Sequence, residues 1–238
     1  MPNHREALVL LPGLLCDERL FAPQREALLG EAAAVDVRVP DLTRDDSVAA
    51  MADRVLAEAP DRFALAGLSM GGYVAFEIVR RAPDRVARLA LLDTQARPDG
   101  DEAKARRRGL MELAGRDGLG VVTAKLMPLL VHADRLGDAG LTDTIDAMAD
   151  AVGTDGFLRQ QRAIMGRPDS RPSLPAIAVP TLVLAGREDA ITPPELQLEM
   201  AATIPRATLV LLPLCGHLST LERPDAVGRQ LLAWLEAA

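Results

Sequence analysis

Aromatic side chains are scarce in this sequence, which has four phenylalanines, one tyrosine and one tryptophan in 238 residues. Phe21, Phe63, Tyr73, Phe76, Phe157 and Trp234 are too scattered to form a platform for stacked bases, and the net charge is −7, so no nucleic-acid partner is expected. Cysteine is scarcer still. Cys16 and Cys215 alone make a poor disulfide framework, and two cysteines in a chain of this length fit a reducing, cytoplasmic compartment. No run reaches the roughly 18 uninterrupted apolar residues of a membrane span. The apolar stretch 7–15 is interrupted by Pro12-Gly13, follows the acidic Glu6 and ends on a bulky leucine, so it reads as a buried strand and not as a signal peptide. Low-complexity tracts and internal repeats are absent too.

What is present is an ordinary globular composition, 49% hydrophobic and 26% charged. A single compact chain of this size buries roughly 70–75% of the surface that it exposes when unfolded, enough for a large core without staples. Short aliphatic runs recur at 7–11, 35–39, 63–66, 86–92, 181–185 and 208–212. They lack strict apolar/polar alternation, which implies burial on both faces, as in a parallel sheet flanked by helices. The expected fold class is therefore α/β, a mostly parallel doubly wound sheet. Ser47 can cap a helix carrying Val48, Met51, Val55 and Ala59 at helical spacing before Pro60. Ala75, Ile78, Val79 and Ala82 give the same spacing before Pro83, and a closing helix starts near Pro224 with Val227, Leu231, Trp234 and Leu235 inward. The alternation fails over residues 95–175, too long a stretch for a loop. These residues are expected to form a helical insertion after the run 86–92, roofing the carboxyl ends of the strands, with 1–94 and 176–238 as the core.

The sharpest local signal is Gly67-Leu68-Ser69-Met70-Gly71, a G-x-S-x-G between a strand and a helix. With 18 glycines and five serines, the chance expectation for that pattern anywhere in the chain is about 0.03. A serine in a sharp strand-to-helix turn is presented outward, and flanking glycines remove Cβ atoms that would clash there. The following helix aims its amide groups at the hydroxyl, where negative charge develops during acyl transfer. Ser69 is the expected nucleophile; a merely tight turn is the alternative.

A neutral hydroxyl needs a general base, and three histidines exist. His4 lies near the N-terminus and His132 in the insertion, whereas His217 follows the last strand. His217 is the expected base, with Gly216 letting the backbone turn. Asp189, after the strand that precedes the histidine's, is the expected acid; Glu188 and Asp93 are the alternatives. An oxyanion needs two donors. The N–H of Met70 follows the nucleophile, and the N–H of Leu14, in the turn after the first strand, is the second. The insertion's apolar residues, among them Leu110, Met111, Leu126, Met127, Leu129 and Leu130, suggest a substrate pocket for an acyl chain or ring, with Met111, Met127 and Leu130 the residues expected at it; helix-packing core is the alternative. Arg106-Arg107-Arg108 could meet an anionic substrate or simply form a solvated helix face. Cys16 and Cys215 read as small buried apolar residues rather than a redox pair, and Asp41 as a turn former.

On these residues the chain resembles the α/β-hydrolase family, in particular its small capped esterase-like members. The likeness runs from Leu11-Pro12-Gly13-Leu14 through the serine elbow to Gly186–Asp189 and Gly216-His217, followed by Glu222-Arg223-Pro224. It implies an eight-stranded family sheet, of which six strands can be counted here, and a cofactor-independent Ser-His-Asp hydrolase that binds no metal. The first two family strands are expected to be missing or reduced. The family's usual His-Gly before the oxyanion donor is Pro12-Gly13 here. The implied activity is cleavage of a small-molecule carboxylic ester or thioester; a lactone or carbon–carbon bond substrate, or a binding protein on the same fold, are the alternatives. Family members that use an elbow aspartate, dehalogenases and epoxide hydrolases, do not fit Ser69.

Overall fold

The structure, a computed structural model, describes residues 6–31 and 35–237; His4 lies outside them. Six strands, β1 (Glu6–Leu11), β2 (Val35–Arg38), β3 (Phe63–Leu68), β4 (Val86–Leu92), β5 (Thr181–Gly186) and β6 (Ala207–Leu212), form one sheet in the order β2-β1-β3-β4-β5-β6. Every pairing is parallel. The helices are α1 (Ala22–Glu31), α2 (Val48–Glu58), α3 (Met70–Arg81), α4 (Asp101–Asp117), α5 (Leu119–Leu130), α6 (Ala139–Met165), α7 (Pro194–Thr203), α8 (Ser219–Glu222) and α9 (Pro224–Glu236).

Successive side chains of a strand point to opposite faces, and both faces of the inner strands are buried. Val9, Leu11, Leu65, Leu89, Leu91 and Val183 join one buried cluster with side chains of α2, α3 and α7. Their neighbours Leu8, Leu10, Ala64, Ala66, Leu92, Leu182 and Leu184 join a second with α1 and α9. That division explains the continuous aliphatic runs. Ser47 caps α2 by accepting from the Ala50 amide at 3.2 Å. α9 buries Val227, Leu231, Trp234 and Leu235 on one face, as its spacing predicts. α1 has no clean apolar stripe to announce it.

Between β4 and β5 the chain is helical: α4, α5 and α6 pack on one another around Ala114, Leu119, Val122, Ala149, Val152 and Phe157, with Leu15 from the core side joining them. α6 kinks at Gly153, whose φ is +69°. The order of strands reverses between β1 and β3, so a crevice opens at their carboxyl ends, beneath the inserted helices. Among the described residues no helix is long and apolar enough to cross a membrane.

Candidate active site

Ser69 sits between β3 and α3 with φ +53° and ψ −112°, a backbone conformation that a side chain beyond glycine rarely adopts. The strain is held from several sides. The Ser69 amide donates to the Leu92 carbonyl at 2.9 Å, extending the β3–β4 ladder, and the Ser69 carbonyl accepts from the Gly72 amide at 2.9 Å and the Thr94 hydroxyl at 2.8 Å. A Cβ on Gly67 would lie 2.4 Å from the Gly71 backbone, and one on Gly71 would lie 2.0 Å from the Leu11 carbonyl oxygen. The motif's glycines are therefore what let strand, turn and helix close up. As the first residue of α3, Met70 has an N–H with no acceptor inside the helix, and it lies beside the hydroxyl.

Ser69 Oγ is 2.9 Å from His217 Nε2, and His217 Nδ1 is 2.8 Å and 2.9 Å from the two Asp189 oxygens. Both His217 and Asp189 are buried. Asp189 is held in turn by the amides of Ile191 (2.8 Å) and Thr192 (2.9 Å) and by the Thr192 hydroxyl at 2.6 Å. Burial works against the imidazolium, but the Asp189 charge and hydrogen bond outweigh it and leave the His217 pKa above its ordinary value. Burial likewise works against the Asp189 carboxylate, and His217 with Thr192 outweighs it, so that carboxyl titrates low.

The two alternative acids are occupied elsewhere. Asp93, buried and with φ +44°, accepts from the Gly186 amide at 2.9 Å and from the amide and hydroxyl of Ser219. Glu188 accepts from the Cys215 amide at 3.0 Å. His132 accepts on Nδ1 from the Asp134 amide at 3.2 Å, which caps the short turn after it. The expected role of Gly216 needs correction. The left-handed turn before the histidine falls on Leu214, φ +54°, whereas Gly216 is small because the insertion's backbone passes there, 2.7 Å from where its Cβ would lie. The insertion is tied to this loop: the Leu130 carbonyl accepts from the amides of His217 (3.0 Å) and Leu218 (3.1 Å). Glu222 bridges the same seam by accepting from the amides of His132 (2.7 Å) and Gly216 (2.9 Å).

The loop after β1 lies over the serine, with the Cβ position of Gly13 only 3.5 Å from Ser69 Cβ. The amide of Leu15, in the left-handed region at φ +59°, donates to Gln160 Oε1 of α6 at 3.0 Å. Leu14 lines the same cavity as Ser69. That cavity has a volume of about 800 Å³ and is shared by the sheet's rim (Ser69, His217) and the insertion (Leu110, Leu126, Leu129, Leu130). Of the three insertion residues expected at the pocket, Leu130 lines it. Met111 and Met127 do not: Met111 packs on the insertion's own cluster and Met127 on the sheet-side cluster.

Both cysteines are free and buried. Burial, with the Asp17 charge adding to it, pushes the Cys16 thiol to about 12, and burial also drives the Cys215 thiol up, so neither is a thiolate at neutral pH. Asp41 closes a turn on the amide and hydroxyl of Thr43. Thr192 and Gln160 escaped sequence reasoning. The Asp189-Ala-Ile-Thr192 spacing, typical of an aspartate bonding backbone just ahead of it, could have signalled the first; nothing local signals the second.

A profile of the alpha/beta hydrolase family matches residues 8–230, and the chain belongs to that family. A solved thermophilic esterase from Thermogutta terrifontis is 36% identical with a TM-score of 0.87, covering 97% of this chain and 89% of that one. The enol-lactonase from Burkholderia xenovorans LB400 is 26% identical with a TM-score of 0.86, over 98% of this chain and 91% of its own. A candidate carbamate hydrolase, RutD, of Pseudomonas savastanoi pv. phaseolicola is 30% identical across 99% of this chain and 96% of its own.

Proposed function

We propose that the protein is a serine hydrolase that cleaves a small-molecule carboxylic ester or thioester. The observation that carries this reading is the unbroken chain of hydrogen bonds from Asp189 through His217 to Ser69 Oγ, opening on a largely apolar cavity. Ser69 Oγ attacks the carbonyl carbon as His217 Nε2 takes its proton. The amides of Met70 and Leu14 hold the oxyanion, and Asp189 fixes the imidazole's tautomer and balances its charge. His217 returns the proton to the departing alcohol or thiol. A water, deprotonated by His217, then attacks the acyl-enzyme and frees Ser69 and the carboxylic acid. Residues 95–175 serve as the cap that shields these steps and shapes the pocket. A lactone is a cyclic ester open to the same steps, and the likeness to an enol-lactonase supports it as a second reading.

Hydrolysis of p-nitrophenyl esters from acetate to decanoate by the wild type and by Ser69→Ala tests the proposal. Turnover is expected, with the mutation lowering kcat by about four to six orders of magnitude, and a fluorophosphonate should label Ser69. A folded wild type that neither turns over esters nor takes the label at Ser69 would return the chain to a ligand-binding role.

A further inference from the structure

One wall of the cavity is polar in an unusual way. Arg107 of α4 lines it with a side chain 20% exposed, and its guanidinium is fixed from behind: Nε donates to Asp99 at 2.6 Å and Nη1 to Gln161 Oε1 at 3.0 Å. Asp99, 4% exposed, is shared with a second buried guanidinium, Arg167 at 2.8 Å. Arg167 is fully engaged, donating to the carbonyls of Arg97 and Ile164 and lying 4.1 Å over the Tyr73 ring. Two cations thus share one carboxylate, which leaves a net positive charge in a half-buried place. Only Arg107 of the two reaches the cavity lining, and its Nη2 has no partner among the described residues.

Two further donors stand near Arg107. Gln161 Nε2 is buried without an acceptor, and the Tyr73 hydroxyl belongs to the residue that lines the cavity next to Ser69. The other cations of the cavity are of a different kind. Arg106 and Arg116 are 66% and 72% exposed and pair with Glu102 and Asp117, and Lys125 is exposed, as is the cavity's other carboxylate, Glu112. A guanidinium held rigid, partly desolvated and incompletely neutralised favours a planar anion, which it can grip through its outward N–H groups.

Resting on the serine hydrolase reading, we propose that Arg107 anchors a carboxylate of the substrate, so that the preferred substrates are half-esters or lactones carrying a free carboxylate. The test compares kcat/KM for monomethyl adipate and dimethyl adipate in the wild type, Arg107→Met and Arg107→Lys, each checked for folding by thermal melting. The wild type should favour the half-ester about tenfold or more, as one charge-assisted hydrogen bond allows. Arg107→Met should collapse that ratio, mainly through KM for the half-ester, and Arg107→Lys should restore part of it. A wild type without preference, or a methionine variant that slows both esters equally, overturns the proposal. Calorimetric titration with adipate reads the anchor apart from catalysis. Binding that Arg107→Met loses supports the anchor even if no ester is turned over, and absence of binding to the wild type removes it while leaving ester hydrolysis standing.

Discussion

On the proposed mechanism the imidazole of His217 is the group whose charge decides reactivity, and three buried carboxyl groups act on it. Asp189 raises its pKa most, and Asp93 and Glu222 add to the effect. Attack by Ser69 requires neutral imidazole, so kcat/KM should rise with pH through a value above the ordinary histidine pKa of about 6.5. Asp189→Asn removes the strongest raising charge and presents the wrong hydrogen-bonding edge to Nδ1. It should cost about 10³- to 10⁴-fold in kcat and shift the acid limb of the pH–rate profile downward. Near-normal turnover would transfer the role to Asp93 or Glu188. Ser69 and His217 were legible at this scale because one carries a rare motif and the other an address at a strand's carboxyl end. Asp189 was legible as a choice among three acids. Leu15 and Gln160 were not, since their hydrogen bond joins residues 145 positions apart.

Among the secondary-structure elements, α3 approaches the sheet very closely. Its first turn passes over the end of β1 so tightly that a Cβ on Gly71 would lie 2.0 Å from the Leu11 oxygen, which no rotamer relieves. Gly71→Ala should therefore push α3 off β1, costing about 3 kcal/mol or more in chemical denaturation and reducing activity in whatever fraction remains folded. Elements with sharp ends were readable, α2 from Ser47 to Pro60 and α3 up to Pro83, because capping and proline act within one turn. The inserted helices could be placed only as a block. Their apolar residues divide among three partners, namely each other, the sheet and the cavity, and helical spacing alone does not say which partner a given Met or Leu meets. That is why Met111 and Met127 went to the wrong one.

For the molecule as a whole, the six strands were countable from their aliphatic runs, and the two-sided burial that they imply holds for the inner strands but not for the edge strands β2 and β6, which are largely half-buried. The same burial encloses Asp93 at the centre of the rim, where desolvation first and the Asp189 charge second raise its pKa. A raised folded-state pKa contributes stability that is complete below the unfolded carboxyl value of about 3.9 and is lost as pH climbs through the folded value. Asp93→Asn removes that loss. The melting temperature of the variant relative to wild type should therefore increase from about pH 5 to pH 9, measured by thermal melts across the range. A difference that stays flat would mean that Asp93 remains ionised throughout.

The Leu130 carbonyl accepts two amides of the histidine loop, and Glu222 receives one amide from each side of the same junction. Chimeras that exchange the helices between β4 and β5 for those of another hydrolase consequently have a preferred splice point. Cutting after residue 132 keeps these acceptors and donors with the core. Cutting before residue 130 replaces the carbonyl to which the His217 and Leu218 amides donate and the His132 amide that Glu222 accepts, and so uncouples the base from its register, however well the foreign helices fold.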